Sequence, residues 1–199
     1  MSNSSRRTKI IIVFLALIAV GAVTAWYSSR KSGAPADFTQ AREQGALIAQ
    51  SIVDLSNQST NSLTQVNSLD KSGDYTNALI LTTNIITKNE TLHDQAVSLS
   101  DQIEAMAKAL PEISSSDARQ SALDAISSRL ALVSELINYS GDLQKLLVTL
   151  QGHFTGASIK PGDVQTIVDQ INTDVNAINN FNSQAQQSMT QFDSLESKG

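Results

Sequence analysis

The side chains best equipped for chemistry in this chain are few, and they begin with Glu90-Thr91-Leu92-His93. Glu-x-x-His puts a carboxylate and an imidazole on one face of a helix, the arrangement from which di-iron helical bundles build their centres. Such centres take two copies plus two further glutamates, and this sequence holds one Glu-x-x-His. The second of its two histidines, His153, stands beside Phe154 in the segment GHFTGASIKPG. In an exposed loop, that imidazole and ring would offer a contact point to a partner. If Phe154 instead continues the series Ile126, Val133, Leu147, it plugs the end of a helical bundle.

The remaining options for catalysis are poor. No serine has a Gly-x-Ser-x-Gly setting and no glycine-rich phosphate loop occurs. The absence of cysteine removes disulfides, thiolate zinc sites, iron–sulfur clusters and thiol nucleophiles together. A non-enzymatic protein is expected, with no catalytic residue, no metal ligand set and no cofactor.

Charge divides the chain. All nineteen acidic residues lie after Ala36, where nine basic ones leave a net of −10. That sign repels phosphate backbones, so a nucleic acid partner is not expected. The basic residues before it, Arg6, Arg7 and Lys9, precede an uncharged stretch that runs to Arg30. About 20 residues at 1.5 Å rise match a hydrocarbon core of about 30 Å. Residues 10–29 are therefore expected to form a transmembrane helix, with Ile10, Phe14 and Leu17 among the lipid and Trp26 and Tyr27 at the interface. The most apolar part, Ile10 to Val20, also has signal-peptide length, and Val23-Thr24-Ala25 offers a cleavage site after Ala25. Either fate exports the rest of the chain. The basic N-terminus, residues 1–9, stays cytoplasmic, and the outcome is a single-pass membrane protein or a secreted, periplasmic one.

Residues 30–36 form a short polar linker, and residues 37–199 carry the periodicity of an all-α domain. Ala78, Ile85, Leu92, Leu99 and Met106 recur every seventh residue, interleaved with Tyr75, Thr82, Asn89, Ala96, Ile103 and Leu110. Val164, Ile171, Ile178, Ala185 and Phe192 repeat the pattern near the C-terminus. In the third segment, Leu123, Leu130 and Ile137 accompany Ile126, Val133 and Leu147, and Leu132, Leu136, Leu143, Leu146 and Leu150 widen the stripe, which predicts contact with two neighbours. The first segment is weakest: Ile48, Ile52, Leu55, Leu63, Val66 and Leu69 surround a polar middle. Ser59, Thr82, Asn89 and Ser140 interrupt the seams, either fixing register or lining a small cavity.

Punctuation places four helices at about 37–70, 74–110, 116–151 and 161–197. Asp37 and Gln40 suggest a capping box, Asp74 caps the second helix, Pro111 stops it, and Pro161 or Asp163 opens the fourth. Short connections dictate an antiparallel up-down-up-down four-helix bundle with long helices.

Lys71-Ser72-Gly73-Asp74-Tyr75-Thr76-Asn77-Ala78-Leu79 resembles the inter-helix turn of a tetratricopeptide repeat, and implies a helical hairpin there. It does not recur at that family's spacing of about 34 residues. One span followed by four long helices also resembles the periplasmic sensor module of bacterial chemoreceptors, without the second span and signalling rod those proteins continue into. The expected function is that of a membrane-anchored extracytoplasmic bundle acting through protein contacts in the cell envelope. Its expected partners are membrane lipid through the N-terminal helix, an envelope protein, and a second copy in a homo-oligomer. The alternative is a ligand-binding or sensory ectodomain with a cavity near Thr82, Asn89 and Ser140.

Overall fold

The computed structural model describes residues 33–197, and these form four long helices: α1 (Ala36–Ser72), α2 (Tyr75–Ala109), α3 (Ser116–Phe154) and α4 (Pro161–Glu196). A single 3₁₀ turn, Leu110–Glu112, separates α2 from α3. Among the described residues there is no strand, and no helix is long and apolar enough to cross a membrane. Ile10, Phe14, Leu17, Trp26 and Tyr27, and the cleavage candidate Ala25, lie outside the described residues.

Local chemistry sets the helix ends. α1 stops in a Schellman motif: Gly73 adopts φ 81°, its N–H reaching the Asp70 carbonyl at 3.1 Å and the Asp74 N–H reaching Leu69 at 3.0 Å. A side chain at that φ would be strained. Asp74 then caps α2 by accepting from the Asn77 N–H at 3.2 Å. Ser115 caps α3 in the same way through Ala118. α3 ends in a second Schellman motif at Gly156, φ 98°, with the Ala157 N–H on the Gly152 carbonyl at 2.8 Å. Two sequence expectations shift here. α1 starts at Ala36 behind Pro35 without a side-chain cap, so Asp37 lies inside the first turn and makes no capping box. α3 continues through Gly152 to Phe154, because Gly156 rather than Gly152 takes the left-handed turn.

Neighbouring helices run antiparallel. Asn89 of α2 meets Ser140 of α3 at mid-height, Arg129 of α3 meets Met106 of α2 near one end, and Phe38 of α1 stacks on Phe192 of α4. α1 packs closely on α2 and α3 on α4, while α2 joins the two pairs. One hydrophobic cluster runs the length of the bundle. In α2 it holds the seam expected from sequence, Ala78 to Met106, with Thr82 and Asn89 buried in line. In α1 the seam is Phe38, Ala41, Gly45, Ile52, Ser56, Ser59, Leu63, Val66 and Asp70, in steps of three, four and seven. Small side chains fill the middle of that seam, which is why its apolar signal is weak.

The third helix departs from expectation. Its core face is Ala122, Ile126, Arg129, Val133, Leu136, Ser140, Leu143, Leu147, Leu150 and Phe154. Leu123, Leu130 and Ile137 are not part of it; they are 43, 47 and 37% exposed. Their seven-residue spacing is real, but it belongs to a second stripe turned outward.

α1 and α4 meet chiefly through side chains at the end that holds the chain's N-terminal side. Arg42 clasps Asp193 with both guanidinium nitrogens, Nη1 to Oδ1 at 2.6 Å and Nη2 to Oδ2 at 2.8 Å. Phe38 and Phe192 stack nearby with centroids 5.1 Å apart. Arg129, 3% exposed, is enclosed behind this pair. Burial, then the charge of Arg42, pushes its guanidinium down to about 9, against the opposing pull of Asp193. Asp193 thus holds Arg42 directly and draws on Arg129 behind it. Removing one partner of such a pair leaves buried charge uncompensated. Asp193→Ala is expected to lower stability by about 2–3 kcal/mol, roughly 6 °C in Tm, because the site is only partly desolvated. Lys108→Ala, which breaks the fully exposed pair with Glu104, is expected to leave Tm unchanged. Thermal unfolding of the two variants side by side checks the contrast.

Candidate functional site

Three places gather polar side chains. The first is the end formed by the C-termini of α1 and α3 and the start of α2. His153 Nε2 lies 3.0 Å from Asp70 Oδ1, and both side chains are nearly enclosed. Tyr75 meets the His153 ring edge-on at 5.8 Å and stacks on Phe154 at 6.0 Å. Phe154 is 8% exposed and belongs to the core cluster. Of the two sequence readings, it occupies the plug position, and His153 is turned onto Asp70. Neither side chain is presented outward to a partner. Tyr75 and Asp70 completed this cap from helices that sequence spacing could not relate to residue 153.

The second place is the interior seam. Thr82 donates to the Ala78 carbonyl at 2.7 Å within its own helix. Asn89 Nδ2 donates to the Ser140 carbonyl at 2.8 Å and Ser140 Oγ donates to the Asn89 carbonyl at 3.5 Å, while Asn89 Oδ1 has no donor among the described residues. A buried hydrogen bond contributes about 1 kcal/mol and an unsatisfied buried acceptor costs about 1–3 kcal/mol. The pair does not stabilise the fold on balance; it fixes how α2 and α3 slide against each other. Beside it an open groove of about 460 Å³ runs between α2 and α3, lined by Asn89, Glu90, His93, Ile137, Gly141 and Gln144 among others. Glu90 and His93 are exposed at its rim, with His93 3.7 Å from Asp94. Among the described residues, no three histidines or carboxylates converge as a metal ion would require.

The third place is a groove of about 610 Å³ between α3 and α4. Asp174 is buried there, with Oδ1 accepting from Gln170 at 2.9 Å. Its Oδ2 has no hydrogen-bond partner among the described residues. Asp142 and Glu135 face it, and Asp142 is itself held by Lys145 at 2.6 Å. Burial foremost, and then the negative charge of Asp142 and Glu135, raises the Asp174 carboxyl above its ordinary value, with Gln170 opposing. Sequence spacing gave no hint of this meeting, since Asp142 and Asp174 belong to different helices.

None of the three places assembles a nucleophile, a base and an orienting group within reach of one another. No protein-family model matches the chain, and no curated protein or solved structure compared with it matches either.

The sign of the Asp174 shift gives a testable pH dependence. A carboxyl whose folded pKa lies above its unfolded value binds protons more tightly in the native state. Stability from this group is present below the unfolded pKa of about 3.8 and is lost as pH rises through the raised folded value. Asp174→Asn is therefore expected to raise Tm by a few degrees at pH 7 and to leave it nearly unchanged at pH 3.5. Calorimetry of both proteins across that range checks it.

Proposed function

We propose that this chain is a non-enzymatic, membrane-tethered bundle that works outside the cytoplasm through protein contacts, as an adaptor or assembly component of the cell envelope. The single observation carrying this reading is the pairing of two opposite segments in one chain. An uncharged apolar stretch at residues 10–29 follows three basic residues and precedes two, Arg30 and Lys31, and a net charge of −10 is carried by residues 37–199. The four helices after it support a structural role: they form a rod about 55 Å long whose buried polar groups hold helices together rather than converge on a ligand. Thr82, Asn89 and Ser140 are buried with main-chain partners, and Asn89 and Ser140 also wall the open groove between α2 and α3, where a ligand of the alternative, sensory reading would sit. Homo-oligomers and hetero-complexes both fit such a rod.

The test uses the absence of native cysteine. Ser68→Cys lies on an exposed part of α1. In intact cells a membrane-impermeant maleimide is expected to label it, and the labelled chain should stay with the membrane after alkaline carbonate extraction. A product released into the supernatant, with a mass that starts at Trp26, would mean a secreted bundle instead. A chain that is unlabelled until the cells are lysed would place the domain inside and end the proposal.

A further inference from the structure

The outward stripe of α3 has no role in the bundle. It repeats in alternating steps of four and three: Leu123, Ser127, Leu130, Ser134, Ile137, Gly141, Gln144, Val148. Apart from the half-buried Gln144 these positions are exposed, and Val148 is 53% exposed. This is the pattern of a helix that packs on another helix, and it lies on a surface where no helix of this chain sits. Gly141 is the least expected member. Glycine weakens a helix interior relative to alanine, and a Cβ at this position would meet nothing within 4 Å. Nothing within the single chain requires the residue to be small.

We infer that the stripe is an interface for a second copy of this chain, joined antiparallel through α3 about a two-fold axis between Glu135 and Leu136. Turning the helix about that point sets Leu130 against the partner's Gly141 and Ile137 against the partner's Ser134. Leu123 meets the partner's Val148, and Ser127 the partner's Gln144. Each large side chain in the centre faces a small one, as knobs packing into holes require. The leucine opposite Gly141 enters the groove already open between α2 and α3, whose wall includes Ile137, Ser140 and Gln144. A parallel pairing loses this match, because it sets Leu130 on Leu130 and leaves paired holes at Ser134 and Gly141.

Charge agrees with the same axis. Asp124, Ala131, Asn138 and Lys145 follow the stripe along one flank at seven-residue spacing. The same rotation sets Asp124 near the partner's Lys145 and Ala131 near the partner's Asn138. Lys145 is bound to Asp142 but its side chain is 69% exposed, so it reaches both carboxylates. Glu90 and Asp94 border the stripe on the α2 side and Glu135 and Asp142 on the α4 side, so the two Asp124–Lys145 contacts are the attraction that offsets like charge between copies and fixes the antiparallel register.

The paired stretch, Leu123 to Val148, is about 38 Å long. A single helix face of that length lies in the weak class of interfaces, below about 1,200 Å² in total. Rods paired this way have opposite polarity. Two copies tethered in one bilayer would meet lying along its surface. The inference goes beyond the proposed function without depending on it, and its failure would leave membrane tethering intact.

The test is cross-linking of the purified full chain with a short bis-maleimide, again exploiting the absence of cysteine. Ser134→Cys lies close to the axis and is expected to give a covalent dimer of the chain with itself. Leu123→Cys alone is expected to give none, while Leu123→Cys co-expressed with Val148→Cys gives the mixed dimer. Adding Gly141→Leu to the Ser134→Cys chain should cut the dimer yield about tenfold without lowering the melting temperature, since the side chain has free space in the single chain and collides only with the partner. A dimer from Leu123→Cys alone, no dimer from Ser134→Cys, equal cross-linking from Ser68→Cys on α1, or a yield unaffected by Gly141→Leu would each overturn the inference.

Discussion

Four helices of 35 to 39 residues share one narrow apolar core along their whole length. With so thin a core, every seam position must be aliphatic, small enough to let backbones approach, or polar with a partner inside the bundle. Most seam positions obey this, the buried charge of Arg129 and Asn89 Oδ1, unpaired among the described residues, being departures. Ile85, Leu92 and Met106 fill space in α2, Ala41, Gly45, Ser56 and Ser59 narrow α1, and Asn89 bonds across to Ser140. The rod shape follows, because a polar chain with about a third of its residues Ser, Thr, Asn or Gln can enclose a narrow core but not a round one.

The two ends are sealed by different chemistry. At one, Phe154, Tyr75 and the Asp70–His153 pair close the bundle. At the other, Ile113 and the Phe38–Phe192 stack do so, with Arg119 donating to the Ile113 carbonyl to hold the connecting turn. Buried charge gathers at this second end, where Arg42, Arg129 and Asp193 meet. Such groups are seldom favourable on balance, and their value lies in joining α1 to α4 where the backbones approach least. Tyr139, buried between the ends, shows the same economy: burial raises its phenol and Ser56 across the bundle works against that.

The helical fold was legible in residue order because the period-seven series of α2 and α4 are filled with large aliphatic side chains, and because Gly73 and Pro111 mark sharp breaks. α1 was harder, since Gly45, Ser56 and Ser59 are buried for being small, a property that hydropathy does not register. Leu123, Leu130 and Ile137 misled for the opposite reason. A heptad of leucines is the same signal whether it faces the core or a surface, and only the competing series from Ala122 to Leu150 decides between them. The clusters at Asp174 and at Asp70–His153 join residues from different helices, so no spacing along the chain could announce them.

The bundle requires α1 and α3 to run in the same direction, both antiparallel to the α2 that lies between them. Spin labels on the pairs Ser68→Cys/Thr155→Cys and Ser68→Cys/Gln120→Cys, read by double electron–electron resonance on the purified full chain, test it most directly. The bundle sets the first pair within about 20 Å, at one end, and the second about 50 Å apart, along the length of α3. Broad, overlapping distributions for the two pairs, or a shorter distance for the second than for the first, would contradict the account.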